Sequence, residues 1–173
     1  GGSPPEDARL RQVGKVATGD GSFRGGARAV QAFATGKAGI ESDQIIAVDG
    51  SGLSKSNRTS AAALVGFLQQ VAASDNWDSF VSTLPEAGRS LRRMYGTSAA
   101  RNLRAKTGTI DGVSALTGIV MTRDGETLLF SIISNELRST GAAKRVEDRI
   151  GARLAQFRRD VAPTSTPSQT PAS

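Results

Sequence analysis

The sequence holds 173 residues, 38% of them apolar and 22% charged: enough for one ordinary domain or part of a larger one, and too mixed for collagen, a coiled coil or wholesale disorder. Histidine and cysteine are absent, which removes disulfides, thiol nucleophiles, the usual zinc sites and every mechanism routed through imidazole, so Lys, Asp, Glu, Tyr or water must carry any proton. The net charge is +6, and between Arg89 and Lys106 lie Arg89, Arg92, Arg93, Arg101, Arg104 and Lys106 with no acid, a run that either faces solvent or gathers anionic partners.

No stretch approaches the roughly 18 consecutive apolar residues of a membrane-spanning helix, and the first residues lack the basic-then-apolar pattern of a signal peptide. Residues 1–5, Gly-Gly-Ser-Pro-Pro, read as a flexible leader. Helices are expected over Glu6 to Val16 and Ala27 to Thr35, separated by the breaker Thr18-Gly19-Asp20-Gly21-Ser22. Ile45 to Val48 reads as a buried strand or extended segment delivering the glycine-rich loop Asp49-Gly50-Ser51-Gly52. Ser60 is placed to cap a core helix bearing Leu64, Val65, Leu68, Val71 and Ala72, and Asp75 to cap a second over Trp77, Phe80, Val81 and Leu84.

Beyond the basic run, Asn102 to Gly108 reads as extended. Residues 113–122 alternate between two faces, and Asp124-Gly125 supplies a hairpin turn into Thr127 to Ser134. Because Leu128 to Ile133 is apolar on both faces, that strand is expected in the middle of an antiparallel sheet covered by helices on each side, an α+β arrangement. The last helix, about Ser139 to Arg159, carries Ala143, Val146, Ile150, Leu154, Phe157 and Val161 as one apolar stripe aimed at the sheet. Residues 162–173 are too poor in apolar groups to offset the entropy of ordering, so a disordered tail is expected.

The chemistry gathers at Lys106-Thr107-Gly108. An ammonium and a hydroxyl presented by an edge strand can grip a carboxylate, glycine lets a peptide backbone approach, and the next N–H, on Thr109, can face an oxyanion. K-T-G is an element of active-site serine penicillin-binding proteins and β-lactamases, where it accompanies S-x-x-K and S-D-N. With its context, Arg104 to Gly118, and with Asp49-Gly50-Ser51-Gly52-Leu53-Ser54-Lys55-Ser56-Asn57-Arg58, Gly19 to Phe23 and Leu84-Pro85-Glu86-Ala87-Gly88, the chain resembles the class C low-molecular-mass penicillin-binding proteins, which are D-alanyl-D-alanine carboxypeptidases and endopeptidases.

The resemblance implies a penicillin-binding-protein/β-lactamase-like transpeptidase domain, of which residues 6–161 would be the C-terminal portion. It implies a serine that attacks the carbonyl between two D-alanines of a peptidoglycan stem peptide, forms an acyl-enzyme, and is acylated likewise by β-lactam antibiotics. Lys106 would supply charge and proton relay, Thr107 and Thr109 would bind the terminal carboxylate beside Gly108, and the Thr109 N–H would form half of the oxyanion hole. Ile110 and Asp111 would touch the stem peptide, or Ile110 would merely pack.

No serine in the sequence has a lysine three residues on, so the nucleophile is expected on an N-terminal part of the protein, as a second chain or a longer one. Ser54-Lys55-Ser56-Asn57 can be read as the S-x-N motif. The reading preferred here is a structural turn near the cleft in which Asp49, Ser51 and Asn57 bond backbone groups, with Ser54 or Arg58 available to substrate. A location outside the cytoplasmic membrane follows from the same resemblance. Nothing calls for a metal or organic cofactor. Nucleic acid is an unfavoured partner, because Tyr95 alone among the arginines is available for base stacking. A catalytically inactive relative that binds peptidoglycan is the rival reading.

Overall fold

The computed structural model describes residues 5–37, 39–49 and 54–159. The expected leader, apart from Pro5, and the expected tail therefore lie outside the described residues, as does Ser51. Helices α1 (Pro5–Thr18) and α2 (Phe23–Gly36) form a hairpin whose corner is set by Asp20 and Ser22. The Ser22 hydroxyl caps α2 by accepting the Gly25 N–H at 3.0 Å. The two helices cross closely because Gly26 has no side chain: a Cβ there would stand 2.3 Å from the Leu10 carbonyl oxygen.

After a short 3-10 turn, Ser42–Gln44, strands β1 (Ile45–Ile46) and β2 (Arg58–Thr59) pair antiparallel across the Asp49 loop. The extended segment at 45–48 is thus present but not buried, since Ile46 and Val48 are exposed. Helix α3 (Ala61–Ala72) starts at the expected cap, with Ser60 Oγ accepting from Ala63 N at 2.9 Å. Helix α4 (Trp77–Thr83) departs from expectation. Its N-cap is Asn76, not Asp75; no side chain caps it, and none of its residues is buried.

Strands β3 (Leu103–Ile110), β4 (Val113–Met121) and β5 (Thr127–Ser134) form an antiparallel sheet in the order β3-β4-β5. The two hairpins fall where sequence alternation puts them. Among the described residues β4 is the strand in the middle, and β5 pairs with β4 alone. Leu103, Ala105, Leu116, Val120 and Phe130 form the core face of the sheet with Ala87, Leu91, Met94 and Ala99. Helix α5 (Thr140–Ala155) packs on β4 from that side. Val81 of α4 lies with Arg104, Ile119 and Met121 of the opposite face.

Helix α5 corrects the sequence reading most sharply. It buries Ala143, Glu147, Gly151 and Ala155, a row at steps of four, while Val146, Ile150 and Phe157 of the expected stripe are exposed. Small residues let the helix lie close to the sheet: a Cβ on Gly151 would come within 2.9 Å of a Leu103 methyl.

Two exposed turns are held by carboxylates. Hydrogen bonds from the Ser22 side chain and then its backbone hold the Asp20 carboxyl below its ordinary 3.8, with Arg28 adding charge. The Arg159 N–H and then the Thr122 hydroxyl do the same for Asp124 in the β4–β5 turn. A carboxyl lowered by folding supports the fold above its unfolded value and withdraws that support as pH falls through the lower, folded one. Protection of the Ser22 and Glu126 amides, relative to the core strands, is therefore expected to be lower at a pH well below 3.8 than at about pH 5. Equal protection at both pH values would sink this account.

Candidate active site

The K-T-G residues occupy the middle of β3. The register pairs Lys106 with Thr117, Thr107 with Leu116, Gly108 with Ala115 and Thr109 with Ser114. In an antiparallel ladder, opposed residues alternate between pairs that exchange hydrogen bonds and pairs that do not. The phase is fixed at the strand's start, where the Met121 N–H donates to the Asn102 carbonyl at 2.8 Å. Counting on from there, Lys106, Gly108 and Ile110 bond to β4, whereas Leu103, Ala105, Thr107 and Thr109 turn their N–H and C=O groups to the outer edge.

That edge is half covered. Ala87 N donates to Leu103 O at 2.8 Å, and Ala105 N donates to Pro85 O at 3.0 Å. Glu86, bridged to Arg104 along the backbone and by an ion pair, locks this segment in place. Past Ala105 the cover ends. No protein group meets the Thr109 N–H among the described residues, and the Thr107 carbonyl receives only the Lys106 ammonium, at 2.7 Å.

Alternation along β3 puts Lys106 and Gly108 on one face and Thr107 and Thr109 on the other, the face that α5 covers. Lys106 is exposed, and a Cβ on Gly108 would touch only the Ala115 Cβ, at 3.5 Å. The outcome is a bare strand edge two residues long, flanked by one ammonium and two threonine hydroxyls, suited to an extended peptide that ends in an anion.

Beyond it, Asp111 and Gly112 make the β3–β4 turn, with Gly112 at φ 71°. The Asp49 loop reaches this turn: Lys55 Nζ lies 3.3 Å from Asp111 Oδ2. Both side chains are exposed, so the pair locates the loop more than it stabilises it. Within its described residues the loop is tied together by side-chain hydrogen bonds. Asp49 accepts from Ser54 N at 2.7 Å and from Asn57 Nδ2 at 3.0 Å, while Asn57 Oδ1 accepts from Val48 N at 2.7 Å. Ser54 Oγ accepts the Ser56 N–H.

A shallow cavity of about 540 Å³ lies between Thr109, Ile110, Asp111 and Gly112 on one side and residues 137–140, where α5 begins, on the other. Ile110 thus lines open space. Two residues near this wall escaped the sequence reading. Ser114, fully buried opposite Thr109, gives its hydroxyl to Glu147 Oε1 at 2.6 Å, and Glu147 is 1% exposed. A glutamate amid the charged residues of α5 looks solvated. The four-residue spacing Ala143, Glu147, Gly151, Ala155 was the available signal that it is not.

The chain matches the sequence profile of the D-Ala-D-Ala carboxypeptidase 3 (S13) family over residues 7–157. It is 35% identical over 162 residues to a D-alanyl-D-alanine carboxypeptidase of Actinomadura sp. (strain R39), an alignment that covers 89% of this chain and 30% of the relative. Carboxypeptidase DacB of Mycolicibacterium smegmatis is 40% identical over 112 residues, covering 60% of this chain and 24% of that one. The solved structure of penicillin binding protein 4 from Haemophilus influenzae superposes with a TM-score of 0.76 at 26% identity, over 88% of this chain and 36% of that one. The chain spans about a third or less of the length of these proteins. Sequence profile and fold agree over almost all of the described residues, and the chain belongs to the D-Ala-D-Ala carboxypeptidase 3 (S13) family.

Proposed function

We propose that this chain forms the K-T-G wall of a serine-type D-alanyl-D-alanine carboxypeptidase/endopeptidase that acts on peptidoglycan stem peptides outside the cytoplasmic membrane. The nucleophilic serine and its lysine belong to a segment outside this chain, which contains no Ser-x-x-Lys. The observation that carries the reading is the open edge at Thr107 and Thr109 beside an exposed ammonium.

Serine Oγ bonds to the carbonyl carbon between the two D-alanines. The C–N bond then breaks, the leaving amine takes a proton, and water releases the acyl group. Lys106 contributes charge and relays the proton. The Thr107 and Thr109 hydroxyls hold the terminal carboxylate, and the outward Thr109 N–H stabilises the oxyanion, a donor of a kind worth about 10²–10³ in rate. Ile110 and Asp111 border the stem peptide's side chains, and residues 54–57, whose Lys55 lies beside Asp111, border the same end. A β-lactam acylates the same serine.

Intact mass spectrometry, native and denatured, before and after benzylpenicillin, tests this. A polypeptide that gains one penicilloyl mass and co-purifies with, or contains, this chain is the expected result. No gain from any species holding a Ser-x-x-Lys segment overturns catalysis in favour of a non-catalytic peptidoglycan binder.

A further inference from the structure

We propose that Glu147 and Ser114 are positioning residues for the oxyanion donor: the Glu147 carboxylate clamps Ser114 and thereby fixes the height of Thr109 on the open edge of β3. The inference rests on the oxyanion role given to the Thr109 N–H above. Thr109 and Ser114 face one another in the register as a pair that exchanges no backbone hydrogen bond, the kind whose side chains stand closest. Past Ala105, nothing holds β3 from its outer side among the described residues, so its position there is set from the β4 side alone.

Hairpin β3–β4 turns over at Asp111-Gly112, two residues past Thr109, and ladder bonds next to a turn fray first. The contact that opposes fraying is not apolar. Ser114 is 0% exposed, and its hydroxyl donates at 2.6 Å to Glu147, itself 1% exposed. Arg93 Nη2 holds the other carboxylate oxygen at 2.8 Å, and Arg93 Nε holds Asp148 at 2.8 Å. Arg93 Nη2 also donates to the Lys144 carbonyl at 2.8 Å. The glutamate is thus fixed by the 85–102 segment and by its own helix, and transmits that fixation to β4. A purely structural bond would serve the fold from any position on the sheet. This one lies directly across from the residue whose N–H must meet the developing charge, where misplacement by about 1 Å costs on the order of 10²-fold.

The test uses Ser114→Ala in the protein that includes its Ser-x-x-Lys segment, because alanine removes the hydroxyl, adds no bulk and leaves Glu147 paired with Arg93. Acylation by benzylpenicillin is followed as a saturation series that separates the noncovalent affinity from the rate constant. Hydrogen exchange of peptides from 106–116 is compared with that of peptides from α3. Expected is a roughly tenfold slower acylation step, about 1.4 kcal/mol, with affinity unchanged, and faster exchange confined to the hairpin. Ser114→Thr, which keeps the hydroxyl, is expected to recover the rate.

Wild-type rate in Ser114→Ala, or slowing with no local change in exchange, overturns the proposal. So does a change confined to affinity. Should the hairpin loosen while the wild-type protein takes no acyl group at all, the oxyanion role of Thr109 fails instead, and the clamp on β4 stands as a structural one.

Discussion

Replacing Arg93 by methionine is expected to cost the chain about 3–5 kcal/mol of stability, read as a lower urea midpoint with an unchanged slope. Arg93 is the counter-charge of Glu147, with side chains 14% and 1% exposed respectively. Removing one partner of such a pair leaves an ionised group without water or compensation, and that penalty exceeds what the pair contributed as a pair. The asymmetry supplies its own control. Arg93→Met combined with Glu147→Leu removes both charges, and most of the loss is expected to return, less the cost of leaving the Ser114 hydroxyl unbonded. A single variant within about 1 kcal/mol of wild type would mean that solvent reaches Glu147 and that it is not buried as described.

Lys106→Met has the second large effect, on chemistry and not on stability. Lys106 is exposed and among the described residues its ammonium bonds only the Thr107 carbonyl, so methionine is expected to leave the sheet intact and the melting temperature within about a degree or two of wild type. Acylation by benzylpenicillin in the protein with its Ser-x-x-Lys segment is expected to slow by about 10²–10⁴, the usual range for losing a group that moves a proton. Acylation at an undiminished rate would remove Lys106 from the mechanism and leave it an ordinary surface cation.

How far the sequence could be read depended on what kind of force sets each feature. The β3–β4 and β4–β5 hairpins and the cap at Ser60 arise from local rules, alternation and turn chemistry, and alternation places Val113 to Met121 correctly. The Lys106-Thr107-Gly108 motif and the Asp49 loop were visible as short strings, and the structure brings their ends together through Lys55 and Asp111. What was not legible depends on contacts distant in sequence. Hydropathy assigns Val146 and Ile150 to the core, yet the closest approach of α5 to the sheet requires glycine and alanine, so the small row turns inward and Glu147 goes with it. Its partner Arg93 belongs to a basic run that reads as a solvated face, and nothing local distinguishes Arg93, which is largely buried, from Arg92, which is exposed. The place of β5 in the sheet was legible only in part, since among the described residues it pairs with β4 alone. Apolar character on both faces states what a strand needs to cover, not which neighbour lies beside it.

The segment Pro85 to Ala87, bonded to Leu103 and Ala105, turns the outer edge of β3 into a ruler with a zero mark. A strand rises roughly 3.3 Å per residue, so the uncovered stretch from Thr107 to Thr109 measures about one dipeptide. A guest that pairs antiparallel runs from Thr109 towards Thr107 and meets the covered edge with its C-terminal end. The uncovered edge is thus a short gauge closed at one end, and a strand continuing past Thr107 would have to displace a segment that Glu86 and Arg104 hold in place.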